Sequence, residues 1–334
     1  MEPEVIVKLD TLLSDYLRYR IPAVRNLKVS NVTRSTGGAS RSQWFFDAHW
    51  DGPADIASEL ILRTGECTCF RDEEASLERE FRIYKCLKDS PVPVPDNYWY
   101  EEDPKWLGLP FVIRERLPGS TRMDELSLDE QFDLASQLID ILAAQHDMDW
   151  QEKGFAFLGE PPDRDRCAEH LVDQWYRVIR REQLEPSPLL TTAARWLRQR
   201  SPTHVDRICL CQGQVGPGQV LFNDGQIVGS LDWESAFLGD PMADIAYFSF
   251  MLRPILGDRI DSLLERYTRV TGLPIREENV RFYEVFNSFW VAAICFAARN
   301  RVETGEMAKL QTTYVGVSIP HSFLTRIAGH LSDH

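Results

Sequence analysis

The spacing of apolar residues divides the chain into a β-rich first third and a mostly helical remainder. Between residues 4 and 18 an apolar side chain recurs every three or four positions, which predicts an amphipathic helix. From about residue 26 the pattern changes to short β-type runs separated by turns that contain glycine or proline. Five such runs predict five strands: LKVSNVTR, SQWFFDAHW, ASELILR, DNYWYEE and LPFVIRERL.

Helical periodicity occurs once among these strands and then dominates the rest of the chain. The segment EEASLEREFRIYKCLKD predicts a charged helix with Phe81, Tyr84 and Leu87 on its buried side. Further on, Ser127 and Glu130 have the spacing of a capping box and predict where a longer helix begins. Helices are expected near residues 127–146, 166–183, 188–200, 258–271, 277–303 and 306–316.

One polar loop followed by a hairpin interrupts the helices. The hairpin is predicted by Asp224-Gly225, a strong two-residue turn signal that lies between the apolar runs VLF and QIVGSL. The whole pattern predicts an α+β fold of two lobes. Residues 1–117 would form a small lobe with an N-terminal helix, a five-stranded sheet and one further helix. Residues 118–334 would form a helical lobe that carries the loop and hairpin at 208–234, with a ligand cleft between the lobes.

The composition is that of a globular protein and excludes some partners. The chain has 334 residues, 43% of them hydrophobic, and a net charge of −14. This charge argues against a broad surface for nucleic acid or anionic membrane, because such partners need a basic patch. The longest apolar run, at 289–298, is shorter than the roughly 20 residues of a membrane span. Since the acidic start MEPEVIVKLD has no export signal, the cytoplasm is the expected location.

The seven cysteines do not form a recognisable disulfide or metal framework. Two Cys-x-Cys pairs, Cys67 with Cys69 and Cys209 with Cys211, alternate along predicted strands. We interpret them as small buried thiols, because a zinc site would need further cysteines or histidines at suitable spacing.

Three motifs occur in one order in the second half of the chain. They are Gln-Gly-Gln-Val-Gly-Pro-Gly-Gln at 212–219, Leu-Asp-Trp-Glu at 231–234 and Gly-Asp-Pro-Met-Ala-Asp at 239–244. In these motifs the chain resembles the aminoglycoside phosphotransferase family, the small-molecule branch of the protein-kinase-like fold, and the resemblance extends over about residues 25 to 320. It implies a two-lobed kinase-like fold, ATP and Mg²⁺ as cofactors if kinase function is retained, and a small-molecule substrate. The oligomeric state stays open.

The resemblance also assigns nucleotide-binding positions in the small lobe. The stretch STGGAS, with Gly37, Gly38 and Ser40, occupies the place of the glycine-rich loop that covers phosphates. Arg63 stands where the family has a phosphate-binding lysine, and Glu80 matches the helix glutamate that pairs with that cation.

Two further segments match the family outside the loop. The backbone from Glu115 to Leu117 would meet an adenine. His146, in AAQHDMD, is expected to be a packing residue rather than a catalyst. Details such as PVPVP and LGLPFVIRERLPG resemble the branch associated with acyl-CoA dehydrogenases, some members of which phosphorylate hydroxyacyl-CoA substrates.

The loop departs from the family at the chemical positions. Gln214 replaces the aspartate that receives or orients the proton of the acceptor hydroxyl, and Gln212 replaces a histidine. Gln219 replaces the metal-binding asparagine, so that Asp232 remains as the anionic metal ligand. An amide does not accept a proton near neutral pH, and a longer ligand disturbs the strict octahedral geometry of Mg²⁺.

Two functions follow, and the sequence leaves both open. In the first, ordinary ATP-dependent phosphoryl transfer has been lost, and the cleft binds a small molecule or catalyses another reaction, with Gln214 and Gln219 as amide donors towards a carbonyl or oxyanion. In the second, the protein is an atypical ATP- and Mg²⁺-dependent kinase of a hydroxyl group. Glu234, Asp224 or a group of the substrate would then replace the base. A purely structural or regulatory role is a third alternative.

Overall fold

The computed structural model describes most of the chain. The described residues are 3–35, 41–65, 71, 75–159, 163–307 and 310–332, with side chains described from residue 9 onward. They form a small lobe built on an antiparallel sheet and a larger lobe of helices, as the sequence predicts.

The small lobe contains the five predicted strands in one antiparallel sheet. The strand order is β1-β2-β3-β5-β4. The strands are β1 (Arg25–Arg34), β2 (Ser42–Asp51), β3 (Glu59–Thr64), β4 (Asn97–Glu101) and β5 (Phe111–Glu115). The accompanying helices are α1 (Pro3–Arg20), α2 (Leu77–Leu87) and the short α3 (Pro104–Leu107).

Helix α1 covers one face of this sheet. Its residues Leu13, Tyr16 and Leu17 are fully buried against strand residues such as Leu60 and Phe111. The alternation of apolar and polar residues along the strands produces this layer, because successive side chains point to opposite faces. Helix α2 and the cleft lie on the opposite face of the sheet.

Helix α2 forms where it was expected, but its buried side is different. Ile83, Tyr84 and Leu87 are buried. Phe81 is only half-buried, and its ring centroid lies 6.1 Å from that of Tyr100. Placing Phe81 in the stripe was therefore wrong: Ile83, two positions later, occupies the core. Because Glu80 is also buried, the inner side of α2 is partly polar, a feature that apolar periodicity does not reveal.

The large lobe is a set of helices around one extended core. Ser127 caps the first of them in a capping box with Glu130, as predicted. The helices are α4 (Leu128–Asp147), α5 (Cys167–Glu182), α6 (Pro188–Gln199), α7 (Met242–Leu256), α8 (Arg259–Thr271), α9 (Glu277–Glu303), α10 (Leu310–Thr313) and α11 (Pro320–Ser332).

The end of the chain differs from the helix expected at 306–316. Helix α10 is only one turn and continues into a π-helical turn, Tyr314–Ser318, before α11 begins. Gly316 in this turn lies against the backbone of α9, where an added Cβ would be 2.6 Å from the backbone nitrogen of Arg299. This close approach places the turn and α11 along the side of α9.

Four short strands carry the loop and hairpin. They are β6 (Cys209–Cys211), β7 (Val220–Asn223), β8 (Gln226–Ser230) and β9 (Phe237–Gly239), paired as β6-β9 and β7-β8. Asp224 and Gly225 join β7 to β8 with φ angles of 47° and 72°, the left-handed pair that a tight hairpin turn requires. The turn signal in the sequence is confirmed.

Helix α9 has the length and composition of a membrane-spanning helix. The mean hydropathy of its most apolar 18-residue window is 1.2, and 72% of that window is buried inside the protein. Residues such as Phe289, Ala293 and Ala298 lie in the core of the large lobe. Among the described residues it is the one helix that meets these criteria, and packing against other helices accounts for its apolar composition.

Candidate functional site

A cleft of about 790 Å³ lies between the sheet and the large lobe. The β3 residue Arg63, the connector after β5, the 212–219 loop and the segment after β8 all contribute to its lining. Seven of the sequence-predicted site residues line this cleft: Arg63, Glu115, Leu117, Gln214, Gln219, Asp232 and Glu234.

Arg63 forms the ion pair that the resemblance implied. Its Nε lies 3.2 Å from Oε2 of Glu80 on α2, and both side chains are more than 90% buried. The side-chain oxygen of Ser76 accepts the backbone N–H of Arg79 and fixes the start of α2. Glu80 therefore lies behind Arg63 rather than in the cleft.

Glu234 is a second carboxylate on the same guanidinium. Its Oε2 lies 3.2 Å from the Nη2 atom of Arg63. Burial and the nearby charge of Asp232 raise the pKa of Glu234 to about 8, while Arg63 acts in the opposite direction. Since its carboxyl group is committed to Arg63, Glu234 is a poor substitute for a free general base in this conformation.

The backbone around Glu234 is attached to α2 by Arg79. The guanidinium of Arg79 donates to the carbonyl oxygen of Glu234 at 3.0 Å and to that of Ala236. Burial lowers the pKa of Arg79 to about 10. Through this residue the small lobe holds the segment that carries Asp232 and Glu234.

Asp244 anchors the start of the loop. Its carboxylate accepts the backbone N–H groups of Gln212 and Gly213, both at 2.8 Å, and the side-chain amide of Gln145 at 3.1 Å. The ring nitrogen Nε2 of His146 lies 3.2 Å from the same carboxylate. This fully buried group thus fixes the backbone that leads into Gln214.

His146 and Gln212 both belong to the support of the loop. His146 is fully buried, and its Nδ1 lies 2.7 Å from the hydroxyl of Tyr267, in agreement with the packing role expected for it. The side-chain amide of Gln212 donates to the carbonyl oxygen of Leu231 at 2.6 Å. Gln212 is 2% exposed, and it connects the loop to the segment of Asp232 instead of facing a ligand.

Gln214 reaches the cleft with an amide where the family has a carboxylate. Its Nε2 donates to the hydroxyl of Ser235 at 3.3 Å. The side chain is half-buried and lines the cleft. The residue can donate and accept hydrogen bonds there, but it offers no proton acceptor near neutral pH.

The predicted metal ligands Asp232 and Gln219 line the same cleft. Asp232 has a φ angle of +63°, a left-handed conformation that is uncommon outside glycine and that is often found at functional sites. The Oε1 atom of Gln219 is buried and has no hydrogen-bond partner in the described structure. An unpartnered acceptor of this kind would be satisfied by a cation.

This donor set fits a weak cation site better than a tightly held Mg²⁺. Of the three acids among the described lining residues, Glu234 pairs with Arg63 and Glu115 accepts the N–H of Asp96, which leaves Asp232. Burial raises the pKa of Asp232, whereas the charges of Arg63 and Arg114 lower it. Both arginines line the same cleft as Asp232 and Gln219.

The connector after β5 presents backbone groups to the cleft. The N–H of Glu115 donates to the carbonyl oxygen of Asp96 at 2.8 Å, and its carboxylate accepts the N–H of Asp96. The backbone N–H of Leu117 finds no acceptor within the described ranges of the chain. Leu117 lines the cleft, and the adenine contact that the resemblance implied for this connector stays a prediction.

The glycine-rich stretch cannot be placed. Gly37, Gly38 and Ser40 lie outside the described residues, and so do Cys67 and Cys69. Their assignments therefore stay predictions.

Cys209 and Cys211 are buried thiols, as interpreted from the sequence. Burial raises the pKa of Cys209 to about 12 and that of Cys211 well above its ordinary value. Cys211 lies close to His146 and Asp244, with ligand atoms within 4.8 Å of one another. Because the Asp244 carboxylate is already occupied by hydrogen bonds, we infer no metal site there.

Two further arginines of the site were missed by sequence reasoning. Arg41 and Arg114 are 4% and 5% exposed and both approach Glu80, at 3.7 and 4.0 Å. A charged residue inside the apolar strand FVIRE was the available signal for Arg114. Arg41 follows the STGGAS stretch, where arginine normally suggests an exposed turn.

An apolar wall closes the other side of the cleft. It is built from α7, α9, the π-helical turn and α11. Its principal side chains are Tyr247, Trp290, Ile294, Val315, Ile319 and Phe323. Among the described lining residues no carboxylate lies on this wall, and the charged groups are confined to the sheet side and the loop segments.

Comparison with known proteins agrees with this arrangement. The sequence model described as "Phosphotransferase enzyme family" matches residues 31–279. Acyl-CoA dehydrogenase family member 10 of Mus musculus is 26% identical over 345 residues, which cover 91% of this chain and 32% of that protein. Family member 11 of Rattus norvegicus is 23% identical, with coverage of 81% and 34%. The chain thus spans about a third of the length of these relatives.

Solved structures show the same fold. A Ralstonia eutropha JMP134 protein assigned to the aminoglycoside phosphotransferases superposes with a TM-score of 0.72 at 21% identity, covering 97% of this chain and 98% of that one. A thermostable mutant of aminoglycoside phosphotransferase APH(4)-Ia, crystallised with AMP-PNP and hygromycin B, gives a TM-score of 0.62 at 15% identity, with coverage of 96% and 98%.

Proposed function

Because the chain belongs to the phosphotransferase enzyme family, we propose that its cleft still binds a phosphate-bearing small molecule, while ordinary phosphoryl transfer is lost or strongly reduced. The observation that carries this proposal is Gln214. It lines the cleft, its amide is engaged with Ser235, and the resemblance aligns it with the proton-accepting carboxylate of the family. General base assistance contributes typically about 10²–10⁴ in rate, so an amide at this position removes a large factor.

The geometry offers no obvious replacement for the base. Glu234, the nearest alternative from the sequence, is held by Arg63 at 3.2 Å. Asp224 is exposed at the tip of the hairpin and does not line the cleft. In the described structure the remaining acid of the loop region is Asp232, whose charge serves ligand or cation binding.

The apolar wall supports a ligand with an apolar portion. A polycationic aminoglycoside needs carboxylates around its ammonium groups, since unpaired charges are costly to desolvate. The wall formed around Trp290, Ile294 and Phe323 offers aromatic and aliphatic surface instead. A molecule with an acyl chain and a phosphate-bearing head group would match the wall with its chain and the arginine side with its head.

A thermal-shift panel of ATP, coenzyme A, octanoyl-coenzyme A and kanamycin tests this function. A ligand at 100 times its Kd stabilises the folded protein by about 2.7 kcal/mol. We expect octanoyl-coenzyme A to raise Tm more than coenzyme A, and kanamycin to leave it unchanged. The proposal fails if kanamycin stabilises the protein and the phosphate-bearing ligands do not.

A pair of phenylalanine variants locates the binding on the apolar wall. Phe323→Ala should reduce the advantage of octanoyl-coenzyme A over coenzyme A. Phe132→Ala is the matched control, because Phe132 on α4 is also half-buried but lies under the guanidinium of Arg259 and does not line the cleft. An equal loss in both variants would exclude the wall as the binding surface.

A second candidate function is an atypical ATP-dependent kinase. The observation that favours it is the unpartnered, buried Oε1 of Gln219 beside the left-handed Asp232. In that case Asp232 and Gln219 would hold Mg²⁺, which would neutralise phosphate charge when bound. ADP formation that requires Mg²⁺ and disappears in Asp232→Asn would support this function.

A further inference from the structure

Three buried arginines approach the carboxylate of Glu80, and two of them, Arg63 and Arg114, also line the cleft. Arg41, Arg63 and Arg114 are 4%, 7% and 5% exposed. Burying a guanidinium is expensive unless carboxylates or hydrogen bonds compensate its charge. The described acids near them are Glu80, Glu234 and Asp232.

Arg41 and Arg63 are well compensated. Arg41 donates to the carbonyl oxygen of Gly65 at 2.6 Å and to that of Ala75. Its Nε lies 3.7 Å from Oε2 of Glu80. Arg63 lies between Glu80 and Glu234, at 3.2 Å from each. These contacts fix Arg63 in place while one edge of it still faces the cleft.

Arg114 is less well compensated and also lines the cleft. Its Nη2 donates to Oε1 of Gln43 at 3.1 Å, and its Nη1 is 4.0 Å from Glu80. Its Nε has no hydrogen-bond partner within the described residues, as is also true of the Nε of Arg41, and its guanidinium carbon lies 5.5 Å from the ring centroid of Tyr84. Because Arg114 lines the cleft and lies as far as 4.0 Å from the carboxylate of Glu80, its guanidinium group can bind a ligand atom there.

An anion is the kind of ligand that guanidinium groups lining a cleft are suited to bind. Arg63 and Arg114 line the cleft together with Gln219 and Asp232. Two buried guanidinium groups therefore border the same cavity as the predicted metal ligands. Guanidinium groups bind phosphate oxygens directly and with defined geometry.

We propose that Arg63 and Arg114 hold the phosphate oxygens of the ligand directly, so that binding in this cleft does not require a divalent cation. The inference rests on the proposed function, because it assumes a phosphate-bearing ligand. Its chemistry is a pyrophosphate group, which ADP, inorganic pyrophosphate and coenzyme A share. Beyond the proposed function, binding is then independent of a divalent cation, and Arg114 contacts the phosphate oxygens.

Calorimetric titration of the full chain with ADP and with inorganic pyrophosphate, each in EDTA and in Mg²⁺, tests the inference. We expect Kd to change by less than about threefold between the two buffers, since the arginines supply the charge. ADP binding without pyrophosphate binding, in either buffer, would place the contacts on the nucleoside and overturn the role of the arginines.

Variants of Arg114 make the test specific. Arg114→Met should weaken pyrophosphate binding at least tenfold, and Arg114→Lys, which keeps the charge, should recover part of that loss. Arg266→Met is the matched control, because Arg266 forms an exposed ion pair with Asp140 on the large lobe. If Arg114→Met unfolds, the pyrophosphate affinities of Arg114→Lys and of the control, each measured in EDTA and in Mg²⁺, still give the contribution of the guanidinium.

The possible failures are distinguishable. Tight binding only in Mg²⁺, or wild-type affinity in Arg114→Met, overturns the inference and leaves the proposed function standing. Absence of binding by ADP, pyrophosphate and coenzyme A in both buffers overturns the proposed function and the inference together.

Discussion

The carboxylate of Asp244 provides the sharpest test of how the loop is held. It accepts two backbone N–H groups at 2.8 Å and lies within 3.2 Å of donors from Gln145 and His146. Asp244→Ala would leave all four donors without this acceptor in a fully buried place. Leaving a buried donor unsatisfied costs about 1–3 kcal/mol, and breaking a buried charged network costs about 3–5 kcal/mol.

We therefore expect Asp244→Ala to lower the free energy of unfolding by about 4 kcal/mol. Asp244→Asn should lose roughly half as much, because its amide oxygen can still serve the donors now at Oδ2, whereas Gly213 loses its acceptor. The assay is equilibrium unfolding in urea followed by tryptophan fluorescence. Asp129→Ala is the control: its carboxylate forms an exposed ion pair with Arg259 and should leave stability nearly unchanged.

The essential result is the order of the losses in free energy of unfolding. Asp244→Ala should lose most, Asp244→Asn less, and the control Asp129→Ala least. A loss below about 1 kcal/mol in Asp244→Ala would refute the claim that this carboxylate anchors the loop. Ligand affinity should follow the same order, since Gln214 is the residue directly after the anchored Gly213.

Two further predictions concern the backbone and the pH dependence of stability. Gly119→Ala should lower the free energy of unfolding by about 2–4 kcal/mol in urea titrations, because φ is +135° and a Cβ would lie 2.4 Å from the carbonyl oxygen of Phe222. Gly159→Ala, with φ of +103° and open space around it, should lose less, and equal losses would rule out the steric cause. Burial raises the pKa of Asp240 to about 6 from an ordinary value of 3.8, so its contribution to stability is complete below pH 4 and is lost as pH rises through 6. Wild type should therefore lose about 3 kcal/mol relative to Asp240→Asn between pH 4 and 7, and parallel stability curves of the two proteins would contradict this.

The sequence predicted the fold where local signals are strong. Strand alternation, the Ser127 cap and the Asp224-Gly225 turn each act within a few residues, so they are visible without tertiary information. Helix α7 (Met242–Leu256) was missed because Met242 to Ala246 are all buried, which leaves no polar face to mark its first turn. In α2 the core position predicted for Phe81 is occupied by Ile83 for a related reason. Tertiary contacts, including the buried pair of Glu80 with Arg63, set the inner side of this helix, and apolar spacing does not.

The candidate site was predictable only in part for the same reason. Resemblance supplied Arg63, Glu80 and Asp232, and the structure brings the first two into contact. Arg41 and Arg114 meet Glu80 from 39 and 34 positions away along the chain, so no periodicity reveals them. The apolar wall likewise combines helices that are distant in sequence, and only the folded chain brings them to one side of the cleft.

ADP formation from Mg·ATP, measured in parallel for wild type and Gln214→Asp, tests the central claim most directly. Gln199→Asp, an exposed glutamine changed in the same way, is the control. The account predicts that wild type and control stay at the background rate, while the restored carboxylate raises the rate at least tenfold. Wild-type turnover in the range of ordinary kinases, about 1–100 s⁻¹, with no gain in Gln214→Asp, would contradict it.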